Sequence, residues 1–326
     1  MLGLRQANIL VIKTDGLAAF VAAEPAFEVI RQSHPKARIS LLTAPDLQRV
    51  ARTSPYFDQV AAMPDLRDAE SRKAFVKQLK SSKFERIYDL AADDAGRKLY
   101  AAMGMFRPKW FSANAAPRKN SKAKFTTHLP DLNQMLAGAG LEAPDRLPDF
   151  RWAMATRKDS ANMQPSWYGI SGQFGLLLPG DNPDHRWPAS SYAEFANMMA
   201  QAGFMPVLAG PKDLHHFGDE IAHDAPQLVD LTGKTDHLQL AALAQEAAFF
   251  VSDDAAEMHL AVSVGCQGVL TANAKAPPAA PVGRHVVRLT ATDDLCAIEP
   301  EFIWRTLSNM GLIVAQAGGP VSAQAR

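Results

Sequence analysis

Asp15 sits in a short Lys13-Thr-Asp15-Gly16 loop directly after the apolar run Ile9–Ile12, where a carboxylate can take a proton or cap a helix. His185-Arg186 is a second polar group, suited to phosphate, although an imidazole of ordinary pKa is mostly neutral at pH 7. A third is Asp253-Asp254-Ala255-Ala256-Glu257-Met258-His259, at the entry to a helix, where free backbone N–H groups favour anions. His259 there reads either as a structural helix-start histidine or as part of a site. His215, His216 and His223 lie beside Asp219, with His215 and Asp219 at i, i+4. An exposed polar face accounts for them, and no metal site is expected. Other chemistries lack their signatures. No GxGxxG follows the first apolar run, and Gly233-Lys234-Thr235 lacks the upstream glycine of a P-loop. No Ser-His-Asp or Cys-His set has a supporting elbow or spacing.

These groups must be positioned by a chain of 326 residues, long enough for two domains. Hydrophobic residues make up 47%, ample for two cores. Lys+Arg and Asp+Glu both number 34, which argues against nucleic acid as a partner. The local exception is the basic run Arg118–Lys124, either a solvated loop or a contact with an anionic acceptor or membrane surface. The two cysteines, Cys266 and Cys296, form no CxxC and point to a reducing cytosol. No apolar stretch reaches 18 residues, and the start of the chain lacks a signal-peptide core, so a soluble protein is expected.

Apolar runs alternate with helix-period segments throughout. Strands are expected at 9–12, 38–43, 59–63, 86–90 and 109–112, and again at 174–179, 205–209, 249–251, 268–271 and 284–289. Helices are expected at about 17–33, 45–53, 68–82, from 94, then at 189–202, 236–246, 256–264 and 299–310. A Pro- and Trp-containing connector near 148–168 separates the two series. The expected domains are 1–165 and 166–314, with the last helix able to pack back on the first, and a disordered tail at 315–326. Two doubly wound parallel sheets bind ligands at their strands' carboxyl ends, so a facing cleft is the expected site.

In order along the chain, Ile9–Lys13, His34–Thr43, Ser54–Val60, Tyr88-Asp89-Leu90, Leu178-Pro-Gly180, Arg186-Trp-Pro188, Leu208–Pro211, Leu231–Thr235 and Met258–Ala261 resemble glycosyltransferase family 9, the ADP-heptose:lipopolysaccharide heptosyltransferases. The resemblance covers most of the chain. It implies the GT-B fold, two Rossmann-like domains facing a cleft, metal-independent and without a cofactor. It also implies an ADP-sugar held by the C-terminal half, at Gly180, His185, Arg186, Asp213, Lys234, Thr235, Ala255, Ala256, Met258 and His259. Asp213 is placed where the family has an acid for the ribose, and Asp254 where it can meet sugar hydroxyls.

Three departures stand out. The family's Gly-Asp in the first loop, whose Asp is the presumed general base, aligns with Ala18 and Ala19. Asp15 could approach the same place, or serve as a turn or capping residue. The family's diphosphate lysine aligns with His185, leaving either a weakened phosphate contact or a surface histidine, with Arg186 as electrostatic help. The family's Asp-Ser/Thr-Gly run becomes Asp254-Ala255-Ala256, which removes a hydroxyl and a glycine, and Glu257 adds a carboxylate beside the same N–H groups. On the acceptor side, Ala91, Ala92 and Ala95 replace polar positions. Together these losses predict a heptosyltransferase-like protein of the envelope-polysaccharide type that is catalytically impaired, a non-catalytic binding or scaffolding homologue with a protein partner. The alternative is an active transferase moving a sugar from an ADP-sugar, or another nucleotide sugar, to a glycan or lipid-glycan hydroxyl, with Asp15 or Asp254 as base. Either would be cytoplasmic, with peripheral contact at the inner face of the membrane possible.

Overall fold

The computed structural model describes residues 6–91, 93–104, 107–112, 132–142, 145–155, 160–253, 255–274 and 285–313. The basic run at 118–124, Ala92, Asp254 and the tail at 315–326 lie outside them. The chain divides into two compact units, residues 1–156 and 157–326.

The first unit is built on five strands, β1 (Asn8–Lys13), β2 (Arg38–Thr43), β3 (Gln59–Ala62), β4 (Arg86–Asp89) and β5 (Lys109–Ser112). They pair in parallel in the order β3-β2-β1-β4-β5. Residues 9–13 of β1 are all buried, as a central strand covered on both faces requires. The expected single helix after β1 is two helices, α1 (Leu17–Ala22) and α2 (Glu24–Ser33). Pro25 has no N–H to continue the first helix, so the chain restarts there with Pro25 in its first turn. Phe20 and Phe27 still meet, ring centroids 5.3 Å apart. Helices α3 (Gln48–Ala51), α4 (Ala69–Ser81), α5 (Asp94–Met103), α6 (Leu132–Gly138) and α7 (Trp152–Ala155) complete the unit.

The second unit has six parallel strands, β6 (Phe174–Leu178), β7 (Met205–Leu208), β8 (Val229–Asp230), β9 (Phe249–Ser252), β10 (Gly268–Asn273) and β11 (Val286–Ala291). Their order is β11-β10-β9-β6-β7-β8. Strand β8 has only two residues, too few to show as a periodic run. Around the sheet lie α8 (Ala189–Gln201), α9 (His215–Asp224), α10 (His237–Glu246), α11 (Ala256–Ser263) and α12 (Pro300–Asn309). Helix α12 buries Ile303 and Leu307 in this unit's core beside Trp187, Phe195 and Phe249. Gly175 and Gly268 make the strands' close approach possible, since a Cβ on Gly268 would stand 2.1 Å from the Phe250 carbonyl oxygen.

Candidate functional site

In the second unit, the loops leaving β6 and β9 are locked together by one carboxylate. Asp253 accepts the backbone N–H of Gly180, the backbone N–H of Trp187 at 2.6 Å and the hydroxyl of Tyr192 at 3.1 Å. It is 2% exposed. Burial pushes its pKa up to about 6, while these hydrogen bonds hold it from rising further. Gly180 has no alternative residue, because a Cβ there would come 2.8 Å from the Asp253 carbonyl oxygen. Ser252 braces the same turn, its hydroxyl donating to the Leu178 carbonyl at 2.8 Å and accepting the Ala255 N–H at 3.3 Å.

Beside this hub is a cavity of about 110 Å³ lined by Gly180, Asp181, Asn182, His185, Asp253 and Thr271–Asn273. His185 ends a short 3-10 turn capped by Asn182, and its Nδ1 is buried without a hydrogen-bond partner among the described residues. Arg186 is committed to backbone: Nε donates to the Gly180 carbonyl at 2.7 Å and Nη2 to that of Asp181 at 2.9 Å. Its guanidinium also lies 4.5 Å over the Phe217 ring. The Arg186 guanidinium thus braces the loop on which it sits. Trp187 is fully buried and donates from Nε1 to the Ile298 carbonyl at 2.9 Å.

At the start of α11, Ala255 supplies no side-chain cap. Glu257 is 8% exposed, so its carboxylate is held at the helix start and not in solvent. Its carboxylate takes a hydrogen bond from its own backbone N–H, and burial, reinforced by Asp181, raises its pKa. Met258 is buried, and half-buried His259 has its pKa lowered by burial. Asp254 lies outside the described residues.

Asp213 and Lys234 occupy the loops after β7 and β8, both exposed. These loops touch, Gly233 N–H donating to the Gly210 carbonyl at 2.9 Å. The Lys234 ammonium is held on the Asp230 carbonyl at 2.7 Å, and Thr235 is half-buried. Gly180, His185, Arg186, Asp213, Lys234, Thr235 and residues 255–259 thus all follow the carboxyl end of a strand, where an open parallel sheet takes its ligands.

The first unit has its own polar centre at the ends of β1 and β4. Lys13 is 1% exposed, and its ammonium donates to Asp15 Oδ2 and to the Leu90 carbonyl, each at 3.0 Å. Burial lowers the Lys13 pKa, against the opposing pull of Asp15. Asp15 is not a helix cap: α1 starts at Gly16 with no side-chain cap. Its Oδ1 is buried and has no hydrogen-bond partner among the described residues. Thr14 donates to Asp93 at 2.6 Å, and Asp93 caps α5 through the Gly96 N–H at 2.8 Å. Asp89, 2% exposed, accepts from Ser112 Oγ at 3.2 Å and Trp110 Nε1 at 3.4 Å, while its Oδ1 has no hydrogen-bond partner among the described residues. Burial pushes its pKa up to about 7. Ala19 is buried inside α1 and Ala91 is buried after β4.

A model of glycosyltransferase family 9 (heptosyltransferase) matches residues 101–270. The chain belongs to glycosyltransferase family 9. Its architecture is similar to that of the ADP-heptose lipopolysaccharide heptosyltransferase II of Escherichia coli, with a TM-score of 0.74 and 16% identity over 93% of this chain and 98% of that one. A family 9 glycosyltransferase of Veillonella parvula gives 0.73 at 17% identity over 93% and 97%. Escherichia coli heptosyltransferase WaaC with ADP gives 0.72 at 15% identity over 93% and 99%. The two parallel-sheet units are thus those of a GT-B-like α/β fold. Among curated sequences, a putative glycosyltransferase of Haemophilus influenzae is 29% identical over 92 residues, a match spanning 28% of this chain and 27% of that relative's length. No helix among the described residues is long and apolar enough to cross a membrane.

Sequence reasoning named Asp253 only as the neighbour of Asp254, and missed Tyr192 and Asp89 as polar centres. The paired aspartates after a buried strand were the available signal.

Proposed function

We propose that this family 9 chain is a heptosyltransferase-like protein of the envelope-polysaccharide type whose donor grip has been dismantled, so that it binds or scaffolds rather than transfers. The observation that carries this reading is the burial of Glu257 at the start of α11. A diphosphate approaching those N–H groups would meet a carboxylate already there. Two like charges about 4 Å apart repel by up to roughly 4 kcal/mol at an effective dielectric near 20. Supporting it, His185 stands where the resemblance implies a lysine, Arg186 is spent on two carbonyls, and no carboxylate stands at Ala19. Calorimetry with ADP tests the reading. The wild-type chain should bind ADP no better than millimolar at pH 8, and the combination His185→Lys, Ala255→Ser, Ala256→Gly and Glu257→Gln should bind it far more tightly. Micromolar binding by the wild type, with sugar transfer, would overturn it.

A second reading rests on Asp15. Its Oδ1 is buried and free while Lys13 fixes Oδ2, the arrangement of an oriented base. On this reading the chain transfers a sugar from an ADP-sugar to a glycan or lipid-glycan hydroxyl. Transfer by the wild type that disappears in Asp15→Asn would favour it over the first.

A further inference from the structure

The sequence pairs His215 with Asp219 on one helix face, and the fold adds a third group from 11 residues further on. Asp230 closes β8 beside the first turn of α9, and one donor atom from each of His215, Asp219 and Asp230 lies within 4.8 Å of the others. We propose that these three residues bind a divalent transition metal, Zn²⁺ by their chemistry, with water completing the coordination. This inference is independent of whether the chain transfers sugar.

The geometry is prepared on each side. His215 Nδ1 and Asp230 Oδ2 are 3.5 Å apart, too long for a good hydrogen bond. That separation is close to the edge of a zinc tetrahedron, about 3.4 Å for metal–ligand bonds of ~2.1 Å. The Asp230 carboxylate is oriented from behind, its Oδ1 accepting the Thr232 N–H and the Thr232 hydroxyl, both at 2.8 Å. This leaves Oδ2 turned toward His215, and such outer hydrogen bonds are what hold metal-binding carboxylates in place. Gly218 lets α9 lie this close, since a Cβ there would come 3.3 Å from the Asp230 carboxyl.

Two carboxylates and a neutral imidazole supply a double negative charge, and an imidazole among the ligands disfavours calcium and magnesium, which take oxygen. The Lys234 ammonium, on the Asp230 carbonyl at 2.7 Å, is a nearby positive charge that opposes the ion and weakens its binding. His223 is engaged elsewhere, its Nδ1 2.8 Å from Asp224. A bound ion would join the first turn of α9 to the sheet's two-residue edge strand.

The test uses the full, untagged chain. Zn²⁺ titrated by calorimetry should bind at one site with micromolar affinity, and Co²⁺ should give the visible absorption of a tetrahedral site. His215→Ala and Asp219→Asn change exposed side chains, so both should fold and each should weaken binding tenfold or more. His223→Ala should leave it unchanged. The proposal is overturned if Zn²⁺ binds no better than millimolar, if binding survives the His215→Ala/Asp219→Asn pair, or if His223→Ala removes it.

Discussion

Trp187 donates its backbone N–H to Asp253 Oδ2 at 2.6 Å, joining loops 66 residues apart in sequence. With Gly180 and Tyr192 also donating to the same carboxylate, the loop after β6 has little freedom of its own. Asp253→Ala would leave three buried donors without an acceptor, at about 1–3 kcal/mol each. Urea unfolding of the full chain should show a loss of at least about 3 kcal/mol. A loss below ~1 kcal/mol would mean that the hub is not what holds the loops.

Arg146 is the corresponding tie in the first unit. It reaches Glu24 through Nη1 at 2.7 Å and Nη2 at 2.9 Å, and Glu28 through Nε at 2.7 Å. Glu24 is fully buried and also accepts from the Tyr56 hydroxyl at 2.5 Å. Arg146→Met strands that carboxylate, and breaking such a pair costs about 3–5 kcal/mol. Glu24→Gln in the same background should recover much of the loss, because the orphaned charge is then gone. If the double variant is as unstable as the single, packing by the Arg146 stem is the cause instead.

Asp89 makes the first unit's stability depend on pH. Its native pKa, near 7, lies above the ordinary 3.8, so the folded state holds the proton more tightly than the unfolded one. The stability this contributes is complete below pH ~4 and is lost as pH rises through about 7. At ~1.4 kcal/mol per decade the span is worth up to roughly 4 kcal/mol. Asp89→Asn keeps an acceptor for Ser112 and Trp110 and cannot ionise, so it should be increasingly more stable than the wild type from pH 4.5 to 8. Parallel denaturation curves whose separation ignores pH would contradict this.

How much of this could be read from the chain alone depends on the range of the interaction. Strands such as Ile9–Ile12 and Phe249–Val251 announce themselves because a central parallel strand is apolar on both faces. The break between α1 and α2 was also written locally, in Pro25, although the apolar spacing of Phe20, Phe27 and Ile30 ran across it. Gly180 and Asp253 could be located on their turn, but that the Asp253 carboxylate turns inward is decided by Trp187 and Tyr192, far off in sequence. The turn of the Arg186 guanidinium onto the Gly180 and Asp181 carbonyls was not legible, because the direction of a backbone carbonyl leaves no mark in the sequence. The Arg146–Glu24 and His215–Asp230 pairs left no local trace at all.

The Lys13–Asp15 pair should behave as a unit. Lys13 is buried, and its charge is balanced mainly by Asp15. Asp15→Asn leaves that ammonium with two neutral acceptors, the Leu90 carbonyl and the new amide oxygen, in place of its nearest counter-charge, and should cost about 3 kcal/mol. Lys13→Met/Asp15→Asn should cost less than the two single changes added, with a coupling above ~1 kcal/mol in a double-mutant cycle. Simple additivity would show that the two side chains do not depend on one another, and would remove the structural basis for an oriented Asp15.

Glu257 supplies the most direct probe of the donor half. Its pKa is raised by burial and by Asp181, so its charge is shed sooner than an ordinary glutamate's as pH falls. An anion at the start of α11 meets less repulsion once that proton is on. ADP affinity of the wild type, divided by that of Glu257→Gln, should therefore rise as pH drops from 8 toward 5. Taking the ratio cancels the protonation of ADP itself. At pH 8 Glu257→Gln should bind ADP at least tenfold more tightly than the wild type, within the ~4 kcal/mol ceiling for charges 4 Å apart. A ratio near one at every pH would place the nucleotide away from α11, and the case for a self-blocked donor site would fall with it.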